Sequence, residues 1–329
     1  MSVNNSFGNI LRMTIFGSSH AEKVGVTIEG IPCGVMLCTA DFAADINRRR
    51  PQTVGETPRH EADIPCIEGV DAEGFVKNGR VEICFLNKNT RSADYTHLKH
   101  HPRPSHADLT QRLKYGEECD LAGGGMASGR MTVALVAAGV VAKKILRTVN
   151  FDTHLVSVGG IYDAEHFDEV IAEASKAGDS VGGVVECRVS GVPAAWGEPF
   201  FDSVESIISH LIFSVPGVKG VEFGDGFDST MRRGSERNDV IINALGETQT
   251  NNEGGINGGI SNGNEIIVRV AIKPTASIAR EQFTYDFERG ELAALRIGGR
   301  HDACIARRAM VVIEAMVAFA LADLKLQNA

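Results

Sequence analysis

The stretch Val133-Ala-Leu-Val-Ala-Ala-Gly-Val-Val-Ala142 decides the fold, because it carries no polar side chain over about three helical turns. Lys143, Lys144 and Arg147 follow it, where cations suit the carboxyl end of a helix. The pattern predicts a helix from Ser128 to Val149. A helix that is apolar on all sides must be covered on several of them, so other elements should enclose this one.

A second helix of the same kind is predicted at the other end of the chain, from Cys304 to Leu326, and a shorter amphipathic helix from Ser203 to Phe213. Strand-like alternation is found in four segments, which are Lys23–Glu29, Arg80–Leu86, Val181–Val189 and Glu265–Ile272. Strands and helices do not alternate as regular βαβ units. We therefore predict an α+β layered fold, without a linker that would divide residues 1–329 into domains.

Charge and cysteine content limit the class of protein. The 329 residues carry a net charge of −9, which should repel nucleic acid and anionic membranes. Seven cysteines include no C-x-x-C pair, which favours reduced thiols in a cytoplasm. The longest apolar run, Met310 to Ala322, is too short to span a bilayer and contains Glu314.

Three generic motifs fail on inspection. Gly124 to Gly129 has the glycine spacing of a phosphate loop, but Arg130 and Met131 replace the required Lys and Ser/Thr. Gly259 to Gly263 matches the nucleophile elbow, yet a strand rather than a helix is predicted after it. Four histidines also cluster without a familiar ligand spacing, and we expect no metal site; they are His97, His100, His101 and His106.

Cations stand out where the helix dipole disfavours them. Arg130 begins the first apolar helix and Arg300 precedes the second, so each needs an anion nearby. Further basic groups occur in Arg48–Pro51, Arg103–Asp108 and Lys273–Ser277. Each position taken singly is equally consistent with a structural ion pair. Together they predict a site for a ligand with several phosphates or carboxylates.

Nine motifs in order now resemble one family across residues 7 to about 320, the chorismate synthases. The motifs are Phe16-Gly-Ser-Ser-His20, Arg48-Arg-Arg-Pro51, Asn89-Thr-Arg-Ser-Ala-Asp-Tyr95, Arg103-Pro-Ser-His-Ala-Asp108, Gly123-Gly-Gly-Met-Ala-Ser-Gly-Arg130, Gly220-Val-Glu-Phe-Gly-Asp-Gly-Phe227, Asn251-Asn-Glu-Gly-Gly-Ile-Asn-Gly-Gly-Ile260, Lys273-Pro-Thr275 and Gly299-Arg-His-Asp302. The resemblance implies a single-domain β-α-β sandwich whose core helices lie between antiparallel sheets, assembled as a homotetramer.

The implied reaction is a 1,4-elimination of phosphate from 5-enolpyruvylshikimate 3-phosphate, which gives chorismate in the shikimate pathway. It requires reduced FMN but brings about no net oxidation. Some family members reduce their own flavin with NADPH, whereas others depend on an external flavin reductase, and the sequence leaves both open.

The resemblance also assigns roles to single residues. His20 would protonate the departing phosphate, His106 would set the protonation of the reduced flavin, and Asp302 would exchange a proton with it. The substrate-binding positions implied are Arg49, Arg103, Ser128, Arg130 and Arg300. The flavin-binding positions implied are Met126, Ala127, Ser128, Gly258, Lys273, Pro274, Thr275, Ala276, Ser277 and Arg300.

The chain departs from the family at several of these motifs. Gln52 to Gly55 lacks a substrate-binding cation that the family usually has there, and Ala21 and Ser105 stand at usual glycine positions. Met126 replaces a usual arginine. Two alternatives therefore stay open, a diverged FMN-binding protein without full lyase activity and a flavin-dependent redox enzyme using NADPH. No G-x-G-x-x-G follows a predicted strand, which disfavours the second.

Overall fold

The computed structural model describes residues 5–53, 55–59, 61–89, 98, 100–116, 119, 121–298 and 301–328. Thirteen strands occur in these residues: β1 Ser6–Phe7, β2 Arg12–Gly17, β3 Lys23–Glu29, β4 Cys66–Glu68, β5 Arg80–Leu86, β6 Asn150–Val158, β7 Gly183–Ser190, β8 Val218–Phe223, β9 Ile256–Asn257, β10 Ile260–Ser261, β11 Ile266–Ile272, β12 Gln282–Asp286 and β13 Glu291–Leu295. The α-helices of the same residues are α1 Ala43–Arg49, α2 Asp108–Tyr115, α3 Thr132–Ile145, α4 Phe167–Lys176, α5 Val204–Ser214, α6 Gly234–Arg237 and α7 Ala306–Gln327.

Two antiparallel sheets form the outer layers. The first has the strand order β1-β2-β3-β5-β4, and the second has the order β6-β7-β11-β8. Helix α3 packs on β2, β3 and β5 of the first sheet, and α7 packs on β6 and β7 of the second. The two helices also pack on each other, so they lie between the sheets. The prediction of an α+β fold with core helices enclosed by antiparallel sheets is confirmed.

Gly139 allows α3 and α7 to approach closely. A Cβ atom built on Gly139 would lie 2.3 Å from the Cβ of Ala315, which is too close for two carbon atoms. Small residues at both positions therefore set the distance between the helices. The buried side chains of this layer belong to the same hydrophobic core as the inner faces of both sheets.

Two carboxylates interrupt the apolar surface of α7, and both are satisfied. Glu314 accepts two hydrogen bonds of 2.7 Å from Arg48 and pairs with Lys143 of α3. Asp323 accepts from the backbone N–H groups of residues 9–11, which connect β1 to β2. Buried carboxylates are stable only when paired in this way, so these two tie α7 to its neighbours.

The predicted element bounds agree best in the strands. Both Lys23–Glu29 and Arg80–Leu86 are observed as predicted. The first apolar helix starts later than predicted, at Thr132, because Ser128 is extended and caps a short 3₁₀ turn over Gly129–Met131. In the described part of the chain, no helix combines the length and the apolar character needed to cross a membrane.

Candidate active site

A cavity of about 430 Å³ opens where α3 and α7 begin. Its lining comes from the end of α1, the segment before α3, the first turns of α7 and the segment after β11. Val215, Ile305 and Val312 give it an apolar wall. Such a volume, with an apolar wall and a few convergent polar groups, is typical of small-molecule sites.

Cations outnumber carboxylates in the described lining of this cavity, although the chain as a whole is acidic. Three carboxylates line it, those of Glu61, Asp63 and Asp302. The cationic lining residues are Arg49, Arg50, Arg59, Arg103, Arg130, Lys273 and Arg308. An excess of positive charge in a concave, partly apolar site attracts a polyanionic ligand.

The first group of lining residues, which we name the Asp63 corner, consists of Arg49, Asp63 and Arg130. Asp63 is buried, and its two oxygens pair with different arginines, Oδ2 with Arg49 at 3.4 Å and Oδ1 with Arg130. Two guanidinium groups thus share one carboxylate. Asp63 also adopts a φ of 44°, a strained conformation that is typical of residues held in place for function.

One guanidinium nitrogen of the Asp63 corner has no partner among the residues that the structure describes. Arg130 donates from Nε to Asn87 at 2.8 Å and from Nη1 to Asp63, but its buried Nη2 meets no hydrogen-bond acceptor in the described residues. Arg49 is more fully engaged, with bonds to Thr132 and to the carbonyl of Gly129. A buried N–H group without a partner is costly, so Arg130 is suited to meet an anion in the cavity.

The second group, which we name the Asp108 corner, consists of Arg103, His106, Asp108 and Ser277. Arg103 donates to both oxygens of Asp108 at 2.7 Å and to Ser277 at 3.0 Å. Nδ1 of His106 lies 2.7 Å from Asp108. Burial alone would raise the pKa of Asp108, but the hydrogen bonds from Arg103 and His106 outweigh it and hold that pKa well below its usual range.

The ionised Asp108 fixes the tautomer of His106. A carboxylate can only accept hydrogen bonds, so Nδ1 of a neutral His106 must carry the hydrogen. Nε2 is then the acceptor, and it faces the Gly124 backbone at the cavity wall. His106 lines the cavity with its accepting nitrogen held in a fixed orientation beside Gly124.

His20 lies beside Gly123, the neighbouring glycine of the same segment. A Cβ atom on Gly123 would lie 2.8 Å from Nε2 of His20 and 2.7 Å from Oγ of Ser19, and Gly123 has a φ of 60°. Only glycine fits this position without displacing the histidine. Arg59 donates to Oγ of the buried Ser19 at 3.3 Å, which places another cation beside His20.

Asp302 is held at the base of the cavity. It accepts from Nη1 of Arg308 at 2.8 Å and from the backbone N–H of Thr57 at 2.9 Å. His301 lies beside it, and burial, with a further contribution from the Arg103 cation, lowers the pKa of His301. Nε2 of His301 lies 3.3 Å from the carbonyl of Gly298, and a neutral histidine that donates from this nitrogen can accept a hydrogen bond at Nδ1.

The segment after β11 forms one wall of the cavity. Nζ of Lys273 donates to the carbonyl of Ser105 at 2.7 Å, and burial with the nearby Lys219 lowers its pKa. Oγ1 of Thr275 is buried and has no hydrogen-bond partner among the residues that the structure describes. This hydroxyl is a second polar group, besides Nη2 of Arg130, that is available to a ligand.

Most residues singled out from the sequence meet in this cavity. All three acid–base candidates line it, as do Arg49, Arg103, Ser128 and Arg130, together with Ala127 and residues 273–277. Gly258 lies in the turn between β9 and β10, and Met126 lines a separate, smaller cavity of about 240 Å³. Arg300 lies outside the described residues. Among the residues described, no group of His, Cys, Asp or Glu is arranged to hold a metal ion.

The sequence reasoning missed several lining residues. Arg59, Glu61 and Asp63 stand at every second position of one segment, and this spacing of charged residues was the only local signal for them. Arg308 lies in the first turn of α7, where a cation opposes the dipole, so the argument used for Arg130 also applied to it. His301 was quoted within a motif but was given no role.

The comparisons with known proteins agree with each other. A family model described as chorismate synthase matches residues 11–326. A chorismate synthase of Chitinophaga pinensis is 49% identical over 98% of this chain and 96% of its own length. One of Christiangramia forsetii is 40% identical over 98% of each chain. A crystal structure of chorismate synthase has a TM-score of 0.74 at 26% identity, and the match covers 98% of this chain and 93% of that chain.

Proposed function

Because the chain belongs to the chorismate synthase family and is thereby a carbon–oxygen lyase, we propose that it eliminates phosphate from 5-enolpyruvylshikimate 3-phosphate to give chorismate. The observation that carries the proposal is the cationic cavity of an acidic chain, which is lined by three histidines and by Arg130, whose Nη2 has no partner in the described residues. The substrate has one phosphate and two carboxylates, which require several cations in one place.

The described residues fit a reduced FMN as the cofactor. Thr275 offers a buried hydroxyl that has no partner in the described part of the chain, and Lys273 offers an ammonium group on the same wall. Ala127 and Ser128 line the cavity at the start of α3, where backbone N–H groups favour anions. When bound, reduced FMN supplies an electron that the reaction returns. Met126 and Gly258 do not line the cavity of a single chain, so we assign them no direct contact with a ligand in that cavity.

Side chains of the cavity are assigned to the two groups that leave the substrate. The elimination removes phosphate from one ring carbon and a hydrogen from another. We assign His20, beside Arg59, to deliver a proton to the departing phosphate. His106 exchanges a proton through Nε2, because its Nδ1 is committed to Asp108. Asp302, oriented by Arg308, accepts a proton at its carboxylate.

Arg59 offers a substitute for the cation that the family has near residue 55. Gly55 packs towards Ile171, where a Cβ atom would lie 2.6 Å from a methyl carbon, and it does not line the cavity. Arg59 lines the cavity, and Glu61 fixes it through a bond of 2.8 Å. We therefore propose that substrate-anion binding relies on Arg59, Arg130 and Arg49, with Arg103 as an orienting residue and Arg300 as a further contact.

The remaining features of the family are also proposed for this chain. It would act as one domain, assemble as a homotetramer and work in the cytoplasm, with its flavin reduced by an external reductase or by NADPH. Sedimentation of the purified protein tests the assembly. Flavin reduction followed with NADPH alone, without a reductase, distinguishes the two sources of electrons.

Anaerobic turnover tests the proposed reaction. Purified protein is mixed with 5-enolpyruvylshikimate 3-phosphate and chemically reduced FMN, and chorismate and phosphate are followed together. Equal amounts of both products are expected, and none with oxidised FMN. Tight FMN binding without either product would contradict the proposal and favour a diverged flavin-binding protein.

A further inference from the structure

Two cysteines face each other on neighbouring strands outside the cavity. Cys66 on β4 and Cys84 on β5 are directly opposite partners in the antiparallel register. Both thiols are reduced in the structure, and Cys66 is exposed whereas Cys84 is 7% exposed. Of the seven cysteines, these are the two that the described strand pairings place across from each other.

The register gives these cysteines the separation that a disulfide needs. Opposite residues of an antiparallel pair have Cα atoms about 4.5 or 5.5 Å apart, depending on the hydrogen-bonding class. A disulfide requires Cα atoms about 4.4–6.8 Å apart. Opposite residues of an antiparallel pair point to the same face of the sheet. The two thiols also interact: burial is the main cause that raises the pKa of Cys84, and Cys66 raises it further.

The surroundings of the pair set which thiol reacts first. Cys84 is flanked by Gly25 on β3, and burial raises its pKa, so it is a slow nucleophile. Lys23 lies near enough to lower that pKa, whereas Glu82 acts in the opposite direction. Cys66 is on the edge strand and is accessible to a reagent from solvent.

The pair joins the two segments that hold Arg130. Asp63 lies three residues before Cys66, and Asn87 lies three residues after Cys84. Asp63 accepts from Nη1 of Arg130, and Asn87 accepts from its Nε. A bond between the cysteines would therefore cross-link the segments on both sides of this guanidinium, next to the cavity but outside it.

We propose that Cys66 and Cys84 are a covalent-modification site, a dithiol that low-molecular-weight disulfides oxidise to an intramolecular disulfide. The thiolate of Cys66 attacks the reagent, forms a mixed disulfide and releases one thiolate. The thiolate of Cys84 then attacks the sulfur of Cys66, which forms the cross-strand bond and releases the second thiolate. Two thiol protons go to solvent, and the reagent takes up the two electrons. Excess thiol reverses both steps.

Mass spectrometry of the native protein after treatment with oxidised glutathione tests this directly. The background variant is Cys33→Ser/Cys38→Ser, which removes two exposed thiols but keeps the pair. We expect it to lose two hydrogen atoms and to give a peptide that contains residues 66 and 84 linked together. Adding Cys66→Ser should abolish this product, and Cys84→Ala should leave a stable glutathione adduct on Cys66.

The cross-link should also be visible in thermal stability. Closing the loop between the two cysteines should raise the Tm of the background variant on the order of 5 °C, reversibly with dithiothreitol. The same treatment should leave the Tm of the Cys66→Ser form unchanged. A glutathione adduct that persists on Cys66 with Cys84 present, a linkage to another cysteine, or a lowered Tm would overturn the proposal.

Discussion

The Asp63 corner and the Asp108 corner each set a buried carboxylate against arginine, but their charge balance differs. In the Asp63 corner two guanidinium groups share one carboxylate, and no described residue accepts a hydrogen bond from Nη2 of Arg130. In the Asp108 corner one carboxylate accepts hydrogen bonds from Nε and Nη2 of the same arginine, Arg103, and also orients His106. We infer that an excess of arginine charge over carboxylate charge, as in the Asp63 corner, marks where a ligand anion binds. A balanced pair, in which a carboxylate is paired with a single arginine as in the Asp108 corner, marks where a proton-transfer group is held.

The largest expected effect comes from removing the histidine of the balanced corner. His106→Ala should lower kcat by roughly 10²–10⁴, because a positioned proton-transfer group contributes about that much. KM should change little, since the substrate anions are bound elsewhere. Steady-state kinetics under anaerobic conditions with reduced FMN gives both constants. A raised KM with normal kcat would place His106 among the binding groups and end the distinction between the corners.

Replacing the buried carboxylate of each corner should separate the two corners by their unfolding free energies. Both Asp63→Asn and Asp108→Asn leave buried guanidinium charge uncompensated, which should cost about 3–5 kcal/mol of unfolding free energy. Inorganic phosphate should restore about 1–3 kcal/mol to Asp63→Asn and little to Asp108→Asn, because Arg49 and Arg130 are the proposed anion-binding groups, whereas Arg103 is held by Ser277 as an orienting residue. Urea unfolding with and without phosphate measures this. Equal recovery in both variants would contradict the assignment of the anion site.

The balanced corner should also lose stability in acid. The folded-state pKa of Asp108 is depressed, so its ion pair contributes fully above the unfolded value of about 4. That contribution is lost as the pH falls below about 4 towards the folded pKa. Unfolding free energies of the wild type should therefore approach those of Asp108→Asn between about pH 4 and pH 2. A constant difference between the two proteins over this range would refute the ionised pair.

The smallest expected effect concerns Ser105, which precedes His106 and has a φ of 58°. Ser105→Gly removes the side-chain clash of this conformation, worth about 1–2 kcal/mol, but adds about 0.5–1 kcal/mol of backbone entropy cost. The Tm should rise by no more than about 4 °C, with kcat unchanged. Calorimetry with the matched variant Gly220→Ala, whose added Cβ makes only an ordinary contact at 3.5 Å, provides the control.

The parts of the fold that local pattern determines were predictable from the sequence. Alternation predicted the observed bounds of β3 and β5, and the apolar run of 133–142 predicted a helix enclosed by other elements. The start of α3 was not predictable from hydrophobicity, because backbone geometry around Ser128 sets it. Short edge strands such as β4 carry too few residues to show a period.

The candidate site was predictable only in part, for a similar reason. Arg130 stood out because the helix dipole disfavours a cation at the start of a helix, whereas Arg49 and Arg103 were assigned through the family resemblance. Asp63 did not stand out, since its partner Arg130 is 67 residues away and nothing local marks an ion pair of that separation. That Nη2 of Arg130 has no partner among the described residues, which distinguishes the two corners, is a property of the folded protein alone.

Equilibrium binding of 5-enolpyruvylshikimate 3-phosphate tests the division between the corners most directly. Titration calorimetry compares the wild type with Arg130→Ala and His106→Ala in one buffer. Loss of charged hydrogen bonds worth about 1.5–3 kcal/mol should weaken binding to Arg130→Ala by about 10- to 150-fold, while His106→Ala should bind about as the wild type does. Unchanged affinity in Arg130→Ala, or a comparable loss in His106→Ala, would contradict the account.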